Sequence, residues 1–146
     1  MANGKLREYY WHVMTFLAER SEYLDTEHFA FRFPDEDIAI NRQVLEATLI
    51  MRDGSRLFAR ASLDDQAAVR EYDYAYIYYD HHGNRIFQYD DAPHHPEIAT
   101  HPHHLHRGVK SKQKRERVYP LDVPQVNFIV IVEKVIERLE SSAQEK

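Results

Sequence analysis

The stretch "LEATLIMRDGSRLFARASL", Leu45–Leu63, decides the fold. Leu45, Ala47, Leu49 and Met51 occupy its odd positions, and after Arg52-Asp53-Gly54 the odd positions are again apolar: Leu57, Ala59, Ala61 and Leu63. A period of two is the mark of a strand with one buried face. A three-residue loop, with Gly54 in the left-handed conformation, fits a type I turn followed by a bulge. It pairs Leu49 with Leu57, Ala47 with Ala59 and Leu45 with Ala61. A two-residue loop would set Thr48 against Ala59 and Glu46 against Ala61. Because a one-residue slip moves every side chain to the other face, the apolar set selects the longer loop.

A second hairpin follows in the same style. Arg70–Asp80 carries Tyr72, Tyr74, Tyr76 and Tyr78 on one face and Ala75, Ile77 and Tyr79 on the other. The turn His81-His82-Gly83 then leads to Arg85–Tyr89, and the same loop logic pairs Ile77 with Phe87 and Ala75 with Tyr89. The tyrosine row has two readings: a packed cross-strand aromatic surface, or a platform on which unpaired bases stack. The first is the commoner use of such a row.

Outside the hairpins, residues 5–20 show apolar spacing of three and four with no proline or glycine, which predicts a helix. Thr26–Phe33 alternates and is closed by Pro34, which predicts a strand, and Pro34–Asn41 predicts an acidic loop. Asp122-Val123-Pro124 resembles a helix start with Asp122 as N-cap. The expected fold is α+β: an antiparallel sheet of about five strands between an N-terminal and a C-terminal helix, in a single domain over residues 1–146.

Composition narrows the function. The chain has no cysteine, which excludes disulfides, thiolate ligands and a cysteine nucleophile. No secretory pattern opens it, and no apolar run approaches a membrane span, so the expectation is a soluble cytoplasmic protein with no membrane partner. Residues 101–117 hold Arg107, Lys110, Lys112, Lys114, Arg115 and Arg117 against Glu116 alone, within a chain of net charge −5. Such a basic patch on an acidic body favours a local anionic partner. Its ordinary alternative is a solvated charged loop.

The chemistry concentrates in "YDDAPHHPEIATHPHHLHRG", Tyr89–Gly108, with six histidines from His94 to His106 and three prolines. One reading is zinc, with ligands from His101, His103, His104 and His106 and a carboxylate from Asp90, Asp91 or Glu97. No HExxH pattern appears, and loops this rich in histidine bind zinc or nickel adventitiously, so the expectation is no cofactor and no functional metal. The other reading is acid–base chemistry on RNA. One histidine removes the 2′-hydroxyl proton, another protonates the leaving 5′-oxygen, and a cation steadies the phosphorane. Some of these histidines must also simply brace strands.

The block Phe87–Gly108 resembles the signature of the TumE-like toxins of bacterial and archaeal toxin–antitoxin systems, roughly R-[FY]-D-N-A-P-H-H-x-x-[ILV]-x-T-[FH]-P-H-H-x-H. Tyr89-Asp90, Ala92-Pro93-His94-His95, Ile98, Thr100, Pro102-His103-His104 and His106 match position by position. Asp53–Arg60 is similar to the family's hairpin. Asp91 stands where the family usually has Asn, His101 where Phe is common, and Ala61-Ser62 where a Glu-Tyr is usual. The resemblance implies a toxin encoded beside a DNA-binding antitoxin that masks it. Together with the loop chemistry it leads to an expected metal-independent ribonuclease. Its candidate catalytic residues are His94, His95, His103, His104, His106 and Asp90, with His103 and His106 foremost. Arg107, Lys110 and Lys112 would bind the RNA phosphates. The rival readings are a zinc-type hydrolase and a non-catalytic interaction module.

Overall fold

In the computed structural model, which describes residues 4–25, 30–32, 43–64, 68–108 and 117–144, Leu45 faces Ala61, Ala47 faces Ala59 and Leu49 faces Leu57. The register demanded by the apolar face is therefore the one adopted. Gly54 closes the loop at φ +86°, where only glycine is unstrained. These strands, β2 (Gln43–Ile50) and β3 (Arg56–Asp64), belong to an antiparallel meander with β1 (Ala30–Arg32), β4 (Arg70–Tyr79), β5 (Arg85–Asp90), β6 (His104–Arg107) and β7 (Val118–Tyr119). The order in the sheet is the order in the chain, β1 to β7. The two strands beyond the expected five are β6, cut from the end of the histidine loop, and the two-residue β7. Most of the expected strand at 26–33 and all of the loop at 34–41 lie outside the described residues.

Helices α1 (Gly4–Ala18) and α2 (Phe128–Gln144) cover one face of the sheet. Val13, Phe16 and Leu17 of α1 and Phe128, Ile131 and Val135 of α2 bury against Leu45, Leu49, Leu57 and the tyrosines of β4. Tyr74, Tyr76 and Tyr78 are almost wholly buried. These three thus form a packed aromatic layer under the helices and cannot serve as a base platform, while Tyr72 is half-buried beside the Arg70 guanidinium. No helix among the described residues is long and apolar enough to cross a membrane.

Two bulges set which residues face the helices. The loop His81–Gly83 forms as expected, with Asp80 N–H donating to Asn84 O and Tyr79 opposite Arg85. The register then shifts past Ile86, so Tyr78 faces Phe87 and Tyr76 faces Tyr89. The expected pairs Ile77–Phe87 and Ala75–Tyr89 are therefore corrected by one residue. The physical reason is burial: the shift carries Phe87 and Tyr89 onto the tyrosine face, which the helices cover. The second shift lies between Arg60 and Ser62 of β3, opposite Asp73 of β4 at φ +48°. Both oxygens of Asp91 accept there, from Asp73 N–H at 2.9 Å and Tyr74 N–H at 3.0 Å.

The second bulge sets Glu71, rather than Tyr72, opposite Leu63 on the helix side. Its carboxylate accepts from Tyr9 Oη of α1 at 2.8 Å, from Tyr76 Oη of β4, and from the N–H of Phe128, which opens α2, at 2.8 Å. Burial raises the pKa of Glu71, and the three donors oppose the rise. Helix α2 also begins later than its sequence signal. Asn127, not Asp122, is the N-cap, with Oδ1 accepting from Val130 N–H at 2.9 Å. Asp122 is engaged elsewhere, by Tyr89 Oη, Lys134 and Arg107.

Glu71→Ala strands three donors at one junction. It is expected to lower unfolding stability by about 2–4 kcal/mol, as loss of a buried hydrogen-bond hub does. Glu71→Gln, which keeps an acceptor for Phe128 N–H, should lose less than half of that. Urea unfolding of the two variants against wild type checks both.

Candidate functional site

Strands β5 and β6 pair with Asp90 opposite His104 and Gln88 opposite His106. Alternation sends Tyr89 and Leu105 to the helix side, so Gln88, Asp90, His104 and His106 share the other face. The ladder continues through β4, where Ala75 faces Asp90, and β3, where Arg60 faces Ala75. A row of Arg60, Ala75, Asp90 and His104 thus crosses four strands. The small Ala75 leaves a hollow in that row, and the residues after β5 wall it. The resulting cleft, of about 430 Å³, is lined by Arg60, Gln88, Asp90, His94, His95, His104 and His106, with Asp73, Tyr74, Ala75, Asp91 and Ala92 completing it.

Asp90 organises the cleft. Its Oδ1 lies 2.8 Å from His104 Nε2, and its Oδ2 lies 3.4 Å from His106 Nε2. Gln88 Nε2 donates to Oδ2 at 2.9 Å and Ala92 N–H to Oδ1 at 3.1 Å. Gln88 is itself held, because its Oε1 accepts from Arg85 Nη1 at 3.0 Å while Arg85 Nε donates to Gly108 O. Burial works against ionising Asp90. The hydrogen bonds from His106, Gln88 and Ala92, with the charge of His104, prevail and hold its carboxyl below the usual carboxylate range.

The Nδ1 atoms of His104 and His95 are also held. His104 Nδ1 donates to Pro102 O at 2.9 Å, since a carbonyl can only accept. His104 therefore has an acceptor facing each nitrogen. His95 Nδ1 faces Glu97 Oε1 at 3.3 Å, with its ring edge-on to His104 at 4.9 Å and to His106 at 5.9 Å. His95, His104 and His106 each bring one ligand-capable nitrogen within 4.8 Å of the others. The loop that carries His95 is tied by Thr100, whose Oγ1 donates to His103 O and accepts from Leu121 N–H.

The candidates from sequence separate on this geometry. Asp90, His94, His95, His104 and His106 meet in the cleft, whereas His103 does not line it. The His103 ring stacks on Tyr74 at 5.8 Å, and its Nδ1 hydrogen-bonds Tyr74 Oη at 2.8 Å. His101 is exposed, with Nδ1 donating to His95 O. Arg107 lies away from the cleft, over the Tyr119 ring and 3.3 Å from Asp122. Lys110 and Lys112 lie outside the described residues. Among the described residues, the arginine that lines the cleft is Arg60, which sequence reasoning missed along with Gln88 and Arg85. Gln88 was findable, because it sits two residues before Asp90 and so shares its face.

One family model matches the chain, that of the toxin TumE, over residues 16–139. The chain belongs to the toxin TumE family. No curated protein and no solved structure matches it. The TumE match spans the helix side and the open side of the sheet alike, from the end of α1 into α2. In this TumE-family chain, Asp91, the departure from the expected asparagine, uses both oxygens to cap the Asp73 bulge. An asparagine there offers only one acceptor oxygen.

Because its folded pKa is depressed, Asp90 contributes stability above the unfolded value of about 3.9 and loses it as pH falls through the lower folded value. The stability gap between wild type and Asp90→Asn should therefore be full above about pH 4 and shrink below it. Denaturant unfolding of both proteins from neutral to acid pH measures that gap. A gap that widens on acidification would contradict the assignment.

Proposed function

We propose that the chain is the toxin of a type II toxin–antitoxin pair, a single-domain ribonuclease that cuts RNA in the cytoplasm without a metal. The observation that carries this reading is the convergence of His95, His104 and His106 around the buried Asp90, in an open cleft that also holds Arg60. A phosphodiester beside a 2′-hydroxyl needs a base, an acid and a cation, all in reach of one phosphate. His95 and His106 are the two rings assigned to proton transfer. The close nitrogen spacing lets both reach oxygens of the same phosphate. Asp90 beside His106 stabilises the imidazolium formed when that ring takes a proton.

His104 is a positioning residue in this scheme. It is held between Pro102 O and Asp90, is almost fully buried, and fixes the carboxylate that orients His106. Arg60, on an exposed stretch of β3 and 3.6 Å from Glu46, is the cation for the phosphate. The basic residues Arg107, Lys110 and Lys112 are assigned to longer-range attraction of RNA, or of an acidic antitoxin segment. The DNA-binding antitoxin is the partner that masks the toxin.

Expression of the chain alone is expected to arrest growth, and His95→Ala or His106→Ala to relieve the arrest. In vitro each substitution should lower RNA cleavage by about 10²–10⁴. Cleavage should persist in EDTA and leave a 2′,3′-cyclic phosphate or its 3′-phosphate product, read by mass spectrometry. His103→Ala should leave most of the activity, because His103 hydrogen-bonds Tyr74 without itself lining the cleft. Full activity in both the His95 and the His106 variants would overturn the proposal and leave the cleft as a docking surface.

A further inference from the structure

The cleft histidines have a second chemistry, carried by their hydrogen-bonding pattern. A metal-ligating imidazole almost always gives its other N–H to a carboxylate or a backbone carbonyl, which fixes the tautomer and aims the free nitrogen. Two of the three rings have this arrangement. His104 Nδ1 is held by Pro102 O at 2.9 Å, and His95 Nδ1 by Glu97 Oε1 at 3.3 Å. In each ring Nε2 is then the nitrogen to offer, and on His104 it releases its proton to solvent as the metal takes the place of its contact with Asp90 Oδ1. His106 adds a third nitrogen within 4.8 Å, and Asp90 adds a carboxylate beside the Nε2 atoms of His104 and His106. Asp90 is held in turn by Gln88, as ligating carboxylates usually are.

We propose that His95, His104 and His106, with Asp90 as the fourth ligand, form a site for a divalent transition metal of the zinc type, whose occupancy switches RNA cleavage off. Three imidazoles and one carboxylate suit zinc and its neighbours, and a chain without cysteine offers no thiolate to compete with them. Zinc–nitrogen bonds of about 2.0–2.1 Å require the rings to draw together. His95, on the loop and more exposed than the two strand histidines, is the ring that moves. The inhibition follows from electron pairs. A ring nitrogen bonded to the metal has no lone pair with which to accept a 2′-hydroxyl proton. An ion held by three histidines and Asp90 also has all four positions of a closed site filled, with none left for an activated water. The binding part stands on the geometry alone, and the inhibitory part rests on the ribonuclease reading above.

The test is zinc titration of the full chain without a histidine tag, by competition with a chromogenic chelator. One zinc per chain is expected. His95→Ala and His104→Ala should each weaken binding at least 10-fold, and Glu97→Gln, which removes an outer partner, about 10-fold. His101→Ala and a double His81→Ala, His82→Ala variant should match wild type. Equal weakening by His101→Ala, or the absence of a saturating one-to-one phase, would show adventitious binding by a histidine-rich surface and overturn the site. His95→Ala keeps the test readable should His104→Ala not fold. In a cleavage assay, one equivalent of zinc should abolish turnover and EDTA should restore it. Zinc that stimulates cleavage would overturn the inhibitory role while leaving the site intact. A chain that binds zinc one-to-one yet never cleaves RNA would overturn the ribonuclease reading and the switch together, but not the site.

Discussion

Ile86 stands out of the β4–β5 ladder, and that one-residue shift decides which side of the sheet Asp90 occupies. A regular ladder continuing from the His81–Gly83 loop would turn Tyr89 to the open face and Asp90 in among the tyrosines. The bulge resolves the conflict in favour of apolar burial. Tyr89 goes under the helices, where its hydroxyl reaches Asp122, and Asp90 emerges opposite His104. Burying an aromatic ring is worth about 1.5–3 kcal/mol, while an unpaired carboxylate among aromatic rings costs far more, so the sense of the shift is strongly determined. The bulge that completes the core is therefore also what assembles the cleft.

The two faces of the sheet hold one buried carboxylate each, and their surroundings drive them in opposite directions. Glu71 meets only neutral donors, two tyrosine hydroxyls and one backbone N–H, so burial prevails and its pKa rises. Asp90 meets two imidazoles besides an amide and an N–H, and its pKa falls despite burial. Two acids separated in this way have different uses. Glu71 ties α1, β4 and α2 together, which is a structural task. Asp90 remains ionised beside rings that can carry protons. A buried ion pair is seldom the most stabilising choice for its volume. Its place at the floor of an open cleft is better understood through what it does to His104 and His106.

The local pattern of the sequence carried the β2–β3 hairpin because one face there is uniformly apolar, so register and burial cannot be separated. The expected helices and the antiparallel sheet between them followed from the same logic. The bulges did not follow, because neither Asp73 nor Ile86 carries a residue signature. Both arise from competition between neighbouring strands for the helix face. The same blindness affected the site. Proline and histidine between Pro93 and His106 read as one long loop, and nothing in the letters shows that a strand begins at His104. Once it does, His103 and His104 must point to opposite sides. His103 goes to Tyr74 and His104 to Asp90. The family resemblance pointed to one block of residues but could not divide it between two faces. Asp122 misled for a related reason: as a capping residue before proline it fits a helix start, yet its carboxylate is taken by Tyr89, Arg107 and Lys134, while Asn127 and Glu71 supply the cap.

How the cleft is divided between rigid and adjustable parts bears on both chemistries assigned to it. Asp90, His104 and His106 stand on adjacent strands, in register, with Gln88 and Arg85 behind them; strands hold a constellation more tightly than loops do. His95 is different. It projects from the loop after β5, where its backbone carbonyl accepts from Ile98 N–H and its ring meets the Glu97 carboxylate and, edge-on, the other two rings. A proton-transfer site needs one group that approaches the substrate while its partners remain fixed. A metal site needs one ligand that closes over the ion while its partners remain fixed. His95 meets both requirements, and because it cannot do both at once, the proposed cleavage and the proposed metal binding would compete for the same nitrogen.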